Sequence, residues 1–202
     1  MKAHSHLFKD AKLKKIIGNL PKDHVTFPEF DGQVREHLIS SIVSQQLSTK
    51  VARVILDRFI NFFDGTFPSS KAILNVEPTI LKSVGLSLQK AQYIHNISMY
   101  FEENNRQNED FIGLSDEQII AELTQIKGVG KWTVEMVLIF CLGRQDVFAV
   151  DDFGIQSSII NAYKLKLEKK ELKQKMLKIA EKWRPYRSLA CLYLWASRDF
   201  KP

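Results

Sequence analysis

Residues 123–154, LTQIKGVGKWTVEMVLIFCLGRQDVFAVDDFG, contain the pattern that decides the fold. The pattern predicts the end of one helix, a tight glycine turn, and a second helix of nearly continuous apolar residues. A short extended passage then leads to two adjacent carboxylates, which open a third helix. This stretch therefore predicts two functional groups, a backbone turn suited to an anion and a pair of acidic side chains.

The turn itself is Gly128-Val129-Gly130. Glycines permit positive φ angles and close approach, so the amides of the turn and of the following helix can face one phosphate oxygen. Lys127 and Lys131 flank the turn and add positive charge there. An ordinary helical hairpin with a glycine cap has the same local pattern, and the turn alone does not separate the two interpretations.

Composition narrows the class of protein. The 202 residues carry a net charge of +6, which favours a polyanionic partner. Two cysteines, Cys141 and Cys191, lie in apolar helical runs and predict buried free thiols; they cannot supply a four-cysteine iron–sulfur cluster. No apolar run approaches the roughly 18 residues that span a bilayer, and we see no secretory signal, so we expect a cytoplasmic protein that contacts no membrane.

Helical periodicity recurs along the whole chain and predicts an all-α fold. The first helix is expected over 7–20, and His4 and His6 are expected in a loose tail. Ser115 and Gln118 form a capping-box pattern ahead of a helical hairpin over about 116–142. The basic run 164–178 is expected to be a solvated helix face, and VFAV (147–150) is the one candidate strand.

Five motifs resemble the helix-hairpin-helix-GPD superfamily of DNA base-excision glycosylases, and the likeness is closest to its DNA-3-methyladenine glycosylase II branch. Their order and spacing cover about residues 33–202. The motifs are SIVSQQLSTKVA (41–52), VGLSLQKAQYI (84–94), LTQIKGVGKWTVEM (123–136), DVFAVDDFGI (146–155) and EKWRPYRSLACLYLW (181–195).

The resemblance implies a single two-lobed all-α domain over 1–202 with a cleft between the lobes and no separate N-terminal domain. It implies that Asp152 is catalytic and that Asp151 caps the following helix. Trp132 stands where bifunctional relatives carry a Schiff-base lysine, so the resemblance implies a monofunctional hydrolase. Ala149-Val150 replaces the proline of the superfamily name, and Met136 stands where relatives can have an aromatic residue.

The resemblance also implies a substrate and its binding residues. The expected partner is double-stranded DNA containing damaged bases, bound by a monomer that requires no cofactor. A flipped, positively charged alkylated purine would favour an aromatic pocket because cation–π attraction selects the charged base. The expected pocket residues are Trp132, Trp195, Met136 and Tyr186, with Tyr93 a weaker candidate.

Further residues are implied to contact the DNA backbone or an ion. The turn residues Lys127, Gly128, Val129, Gly130 and Lys131 would hold a phosphate, and Gln45, Gln46 and Leu47 form the region in which relatives insert a wedge. Arg187 and Ser188 would brace the catalytic helix or touch phosphate. Backbone carbonyls of Thr124, Ile126 and Val129 would hold a monovalent cation.

Three alternatives stay open. The same fold could remove uracil or an oxidised purine, or the chain could be a non-catalytic helix-hairpin-helix DNA-binding module. The third is an all-α structural protein with a chance glycine turn. The paired acids and the aromatic positions argue against the second, because binding phosphate requires neither.

Overall fold

The computed structural model describes residues 2–21 and 24–200, and these residues form helices and loops without a strand. The all-α prediction is confirmed, whereas the candidate strand at 147–150 is irregular backbone. In chain order the α-helices are α1 (Lys2–Leu7), α2 (Ala11–Gly18), α3 (Val34–Ser44), α4 (Thr49–Phe62), α5 (Ser70–Leu74), α6 (Leu88–Glu103), α7 (Asp116–Leu123), α8 (Lys131–Phe140), α9 (Phe153–Tyr163), α10 (Lys169–Ala180) and α11 (Arg187–Asp199). Single 3-10 turns occupy Ile80–Val84, Asn108–Phe111 and Glu181–Trp183.

The chain divides into two compact units. The middle unit is one continuous segment, Phe30–Leu142, and contains α3 to α8. The terminal unit combines the residues up to Glu29 with those from Gly143 onward, and contains α1, α2 and α9 to α11. None of the helices within 2–21 and 24–200 combines the length and the hydropathy needed to cross a membrane.

The middle unit is built around α3, which packs against α4, α6 and α8. Val34, Leu38, Ile39, Ile42 and Val43 of this helix are completely buried. Each such aliphatic side chain contributes about 1.5–3 kcal/mol by leaving water. Because one helix supplies the contact surface for three others, its C-terminal end at Ser44 is fixed from several sides.

The predicted helical hairpin forms as α7 and α8. The Ser115 hydroxyl accepts the Gln118 amide at 3.2 Å, and the Gln118 side chain accepts the Ser115 amide at 2.8 Å, which confirms the capping box. Helix α8 is buried continuously from Thr133 to Ile139, as expected for a helix that is apolar on nearly every side. Helix α8 begins directly after the glycine turn, so its buried residues fix the position where the turn ends.

The terminal unit is organised by α11, which packs on α2 and α9. Its core joins residues from both ends of the chain and includes Leu7, Leu13, Ile155, Ile159, Trp183 and Leu194. Cys191 belongs to this core, and Cys141 lies buried in the middle unit, so the prediction of buried free thiols is confirmed.

The expectation of one helix over 7–20 is wrong. Helix α1 ends at Leu7, and Asp10 begins α2 by accepting the Lys12 and Leu13 amides at 3.0 and 3.2 Å. The other oxygen of Asp10 accepts the Tyr163 hydroxyl at 2.6 Å and the Trp183 indole at 3.2 Å. These partners lie far along the chain, so local periodicity could not reveal the break.

The expectation of a loose tail at His4 and His6 is also wrong. The His4 ring hydrogen-bonds the Tyr193 hydroxyl, and His6 Nε2 donates to the Lys182 carbonyl at 3.0 Å. Helix α1 is therefore attached to the α10–α11 segment of the terminal unit.

Candidate active site

The glycine turn owes its first glycine to packing. Gly128 has φ +104°, and a Cβ built on it would lie 2.2 Å from Cγ of Tyr93 in α6. The Asn96 side chain, from the same helix, donates to the Lys127 carbonyl at 2.9 Å. The half-buried Tyr93 ring thus packs behind the turn within the middle unit.

Gly130, unlike Gly128, is required neither by its backbone angles nor by packing. It is the N-cap of α8 with φ −92° and ψ 169°, ordinary extended angles, and a Cβ built there would meet nothing within 4 Å. The first-turn amides of a helix have no acceptor inside that helix and lie at the positive end of its dipole. Gly130, Lys127 and Lys131 are all exposed. The turn can therefore accept an anion at Gly130, while Gly128 shapes the backbone behind it.

Lys131 also has a partner inside the protein. Its ammonium lies 3.5 Å from the carboxylate of Glu135, which is only 3% exposed one turn further along α8. Its side chain remains 57% exposed. The charge therefore stays beside the turn and is held near the start of the helix.

The two adjacent acids have separate roles, and the expected assignment of the helix cap is wrong. Asp152, not Asp151, is the N-cap of α9, because its Oδ1 accepts the Ile155 amide at 2.9 Å. The same oxygen accepts the indole N–H of Trp195 at 2.8 Å. Asp151 is exposed and pairs with Lys173 at 2.7 Å. Asp152 thus combines the cap with the position implied to be catalytic.

Gly154 keeps this arrangement compact. A Cβ on Gly154 would come within 3.0 Å of Asp152 Oδ1, Trp195 Cδ1 and Arg198 Nη1. A larger residue would therefore displace the carboxylate or the indole. The sequence interpretation did not single out Gly154; a glycine in the first turn of a helix, two residues after Asp152, was the available signal.

Phe153 is a second residue that the sequence interpretation missed. It is 72% exposed, which is unusual for a large aromatic residue, and the Arg198 guanidinium stacks 5.2 Å from its ring centroid. Both flank Asp152, so an aromatic ring and a positive charge lie exposed beside the carboxylate. Only the position of Phe153 next to the acids could have signalled this from the sequence.

The segment leading to Asp152 is held by side chains of α11. The Arg187 guanidinium donates to the Asp146 carboxylate at 2.6 Å and also to its carbonyl. The Ser188 hydroxyl accepts the Val147 amide at 2.9 Å and donates to the Arg144 carbonyl at 2.6 Å. Both residues therefore brace the path to the acids, and these bonds restrain a segment that lacks the family proline.

The expected pocket residues fall into two groups. In the middle unit, Trp132 is half-buried in the first turn of α8, and Met136 follows one turn later on the same side. In the terminal unit, Trp195 contacts Asp152, as described above. Tyr186 is half-buried there and its ring makes an edge contact with His6 at 5.6 Å. The structure brings Trp195 to the carboxylate and directs Tyr186 toward α1.

The expected wedge region is a short loop between α3 and α4. The Gln45 side chain donates to Thr133 Oγ1 of α8 at 3.3 Å, so it points into the middle unit. Gln46 has φ +58°, and both Gln46 and Leu47 are exposed. Ser48 then caps α4 by accepting the Val51 amide. Gln46 and Leu47 are therefore the side chains of this loop that project outward.

Within residues 2–21 and 24–200, one group of side chains has the spacing of metal ligands. Asp31, His37 and Cys141 place their ligand atoms within 4.8 Å of one another. Here the Asp31 carboxylate accepts the Gln33 amide at 3.0 Å and pairs with the His37 ring at 2.7 Å. Burial acts to raise the pKa of Asp31, but these hydrogen bonds hold that pKa below its ordinary value. These bonds order the segment that leads into α3, and this explains why the three side chains lie close together.

Comparisons with known proteins agree with this geometry. A family model described as HhH-GPD superfamily base excision DNA repair protein matches residues 39–185. The chain is 35% identical over 186 residues to DNA-3-methyladenine glycosylase 1 of Schizosaccharomyces pombe, covering 91% of this chain and 79% of that protein. It is 33% identical over 191 residues to Bacillus subtilis YfjP, whose name assigns it provisionally to the DNA-3-methyladenine glycosylases. The match covers 91% of this chain but 66% of YfjP, so the chain spans just under two thirds of that relative.

Solved structures show the same similarity. The Schizosaccharomyces pombe 3-methyladenine DNA glycosylase in complex with abasic DNA superposes with a TM-score of 0.89 at 32% identity. That alignment covers 99% of this chain and 98% of the other. A Clostridium acetobutylicum 8-oxoguanine glycosylase/lyase bound to double-stranded DNA gives a TM-score of 0.79 at 16% identity and covers 98% of this chain and 69% of the other, a similarity of fold alone.

Proposed function

Because the chain belongs to the HhH-GPD superfamily of base excision DNA repair proteins, we propose that it is a DNA glycosylase that removes alkylated purines from double-stranded DNA. The names of its relatives and the abasic-DNA complex of one of them support this substrate class. The observation that carries the proposal is the Asp152 carboxylate, held at the start of α9 by the Trp195 indole. We further propose the 3-methyladenine glycosylase II type within this class.

The proposed reaction breaks the bond between C1′ of the sugar and the purine nitrogen. The bonding electrons leave with the base, and positive charge develops on the sugar. An ionised Asp152 close to that sugar stabilises the charge, orients the water that adds to C1′ and accepts the proton that this water loses. The Trp195 hydrogen bond fixes the carboxylate before the charge develops, so less reorganisation is needed during the reaction.

The aromatic residues fit an alkylated base. Methylation at N3 or N7 makes the purine cationic, so it leaves readily and is attracted to an electron-rich ring. We propose that Trp195, whose indole also donates to the Asp152 carboxylate, contacts the flipped base. Selectivity would then come mainly from the charge of the base and less from hydrogen bonds to its edge.

We propose that catalysis ends at hydrolysis, without strand cleavage. A lyase needs a lysine amine that attacks C1′, and the corresponding position carries Trp132. The neighbouring Lys131 is paired with the buried Glu135. Borohydride trapping with DNA containing a substrate base should give no covalent complex; a trapped adduct would contradict this part of the proposal.

We also propose that the carbonyls of Thr124, Ile126 and Val129 hold a monovalent cation behind the turn. Neutral carbonyl oxygens are the donors that such ions use in proteins. Ile126 already accepts the Val129 amide at 2.9 Å and has a second lone pair available. Exchanging sodium or potassium for tetramethylammonium at equal ionic strength should weaken DNA binding; unchanged affinity would exclude a functional ion.

The test compares excision by the unmodified protein, Asp152→Asn and Asp151→Asn. Substrates are methylated duplex DNA and duplexes carrying hypoxanthine, uracil or 8-oxoguanine, and the measured quantity is free base. Asparagine caps helices as well as aspartate, so Asp152→Asn should keep its stability while losing about 10²- to 10⁴-fold in rate.

The exposed Asp151–Lys173 pair contributes little, so Asp151→Asn is the matched control and should retain activity. Absence of any released base would refute the glycosylase assignment. Undiminished release by Asp152→Asn would refute the role of the carboxylate.

A further inference from the structure

One helix of the middle unit contacts both of the loops that are proposed to meet DNA. Lys90, Tyr93 and Asn96 of α6 are spaced three residues apart, so they share an arc of about 120° and about 9 Å of the helix axis. Lys90 contacts the loop of Gln45–Ser48, and Tyr93 and Asn96 contact the Lys127–Gly128 backbone. No sequence motif discussed above predicts this arrangement.

Lys90 contacts the backbone at the C-terminal end of α3. Its ammonium donates to the carbonyls of Val43 and Gln45, both at 2.8 Å. The Val43 carbonyl lies in the last turn of α3, where carbonyls have no donor within the helix and lie at the negative end of its dipole. Gln45 is the residue that follows the helix. Burial lowers the pKa of Lys90, in keeping with an ammonium that has exchanged part of its water shell for these carbonyls. The chain then turns sharply at Gln46, in a left-handed conformation that favours glycine.

The contacts of Tyr93 and Asn96 support the other loop. The Tyr93 ring fills the space that a side chain at Gly128 would need, and its hydroxyl accepts the Gln89 amide at 2.7 Å. Asn96 donates to the Lys127 carbonyl at 2.9 Å. Through these contacts the backbone that precedes Gly130 is attached to the same helix as the α3–α4 loop.

A second connection joins the two loops directly. The Gln45 side chain donates to Thr133, which is buried in the first turn of α8 directly after the turn. The α3–α4 loop is therefore fixed at both its backbone and its side chain, while Gln46 and Leu47 remain exposed. A loop held in these two ways keeps its exposed side chains at a constant distance from the glycine turn. A side chain that enters a duplex beside a phosphate contact requires such a constant distance.

We propose that Lys90, Tyr93 and Asn96 form a positioning strut that sets the Gln46–Leu47 wedge at a fixed distance from the phosphate-binding turn, with Lys90 as the residue that holds the wedge. This inference rests on the proposed function, because it takes the substrate to be a duplex whose base must be flipped. Because its ammonium donates to the Val43 and Gln45 carbonyls, Lys90 acts through the loop. The strut matters for opening a duplex and not for the chemistry at Asp152.

The experiment separates flipping from chemistry. Lys90→Met, Lys90→Arg and the exposed control Lys71→Met are compared on one alkylated oligonucleotide, single-stranded and in a duplex, under single-turnover conditions. Lys90→Met should lose about 10- to 100-fold on the duplex, the cost typical of a misplaced positioning group, and keep its single-strand rate. Lys90→Arg should recover most of the duplex rate, and Lys71→Met should match the unmodified protein.

A readout without chemistry completes the test. In the Asp152→Asn background, a duplex with 2-aminopurine beside an abasic analogue reports unstacking by fluorescence, and Lys90→Met should lower this signal. Asn96→Leu removes the bond to the Lys127 carbonyl at the other end of the strut, so it should also lower the fluorescence signal and, unlike Lys90→Met, weaken binding to single-stranded DNA. Unchanged fluorescence in Asn96→Leu would exclude Asn96 from the strut. Should Lys90→Met not fold, Lys90→Gln, which keeps a neutral donor, takes its place.

An unchanged duplex-to-single-strand ratio and unchanged fluorescence in the Lys90 variants would overturn the strut. A protein that releases no base at all but shows Lys90-dependent fluorescence would instead refute the proposed glycosylase function and leave the strut standing. The two proposals therefore fail separately.

Discussion

Replacing Gly128 by alanine should destabilise the protein severely, whereas the same change at Gly130 should not. Alanine at position 128 is destabilising for two reasons. Its backbone would be strained at φ +104°, and its Cβ would lie 2.2 Å from the Tyr93 ring. Backbone strain of this kind costs about 1–3 kcal/mol, and overpacking costs a similar amount. Together they give about 2–6 kcal/mol, which for a chain of this size lowers Tm by about 5–20 °C.

Gly130→Ala is the matched control. Its φ of −92° suits any residue, and its Cβ would meet nothing within 4 Å. Alanine is a poorer N-cap than glycine, so we expect a loss of only about 0.5–1 kcal/mol. If the turn binds phosphate as proposed, the methyl group would stand in the path of that phosphate, and DNA affinity should fall about tenfold, equivalent to about 1.4 kcal/mol.

Thermal unfolding followed by circular dichroism and DNA binding followed by fluorescence anisotropy check the pair. Adding Tyr93→Ala to Gly128→Ala should remove the clash but not the φ strain, so part of the lost stability returns. A Gly128→Ala protein as stable as the unmodified one would refute the packing argument. Equal affinity losses at both glycines, with no difference in stability, would show that both serve the phosphate alone.

Three further outcomes follow from the terminal unit. Trp195→Phe keeps an aromatic ring but loses the N–H that donates to Asp152. The single-turnover rate of excision should fall about 10- to 100-fold, which corresponds to the free energy of a hydrogen bond to a charged group. An unchanged rate would exclude a role of the indole in holding the carboxylate. Gly154→Ala should lower excision at least as much by displacing Asp152, and it should lower Tm by about 1–8 °C because the displaced carboxylate no longer caps α9. Full activity would refute the crowding argument. Although burial acts to raise it, hydrogen bonds led by that of Tyr163 lower the pKa of Asp10. Asp10→Asn should therefore lower the free energy of unfolding by its full amount at neutral pH, and this loss should shrink as the pH falls below about 4. Urea unfolding of both proteins at several pH values measures the loss. A loss that stays constant with pH would contradict the argument.

The sequence predicted the parts of the site that are local in the chain. The Ser115–Gln118 capping box, the glycine turn and the apolar α8 each depend on neighbours within a few residues, so their patterns are visible in a single sequence. The resemblance then supplied the position of Asp152. These features place both functional groups on their helices without any knowledge of packing.

The parts that the sequence missed depend on distant partners. Two adjacent acids can each cap a helix, and the choice of Asp152 involves the Trp195 indole, which lies 43 residues further along the chain. The break at Asp10 is stabilised by Tyr163 and Trp183, which lie even further away. Lys90 was not singled out because its acceptors are backbone carbonyls, which every residue possesses.

The division of the chain has a consequence for the order in which the protein is made. The middle unit is a single continuous segment, so all of its helices have emerged once Leu142 leaves the ribosome. The terminal unit must wait, because Asp10 meets Tyr163 and Trp183 only after α9 and the segment before α11 are synthesised. A nascent chain would thus carry the glycine turn before Asp152 is in place, and the proposed glycosylase activity would arise last.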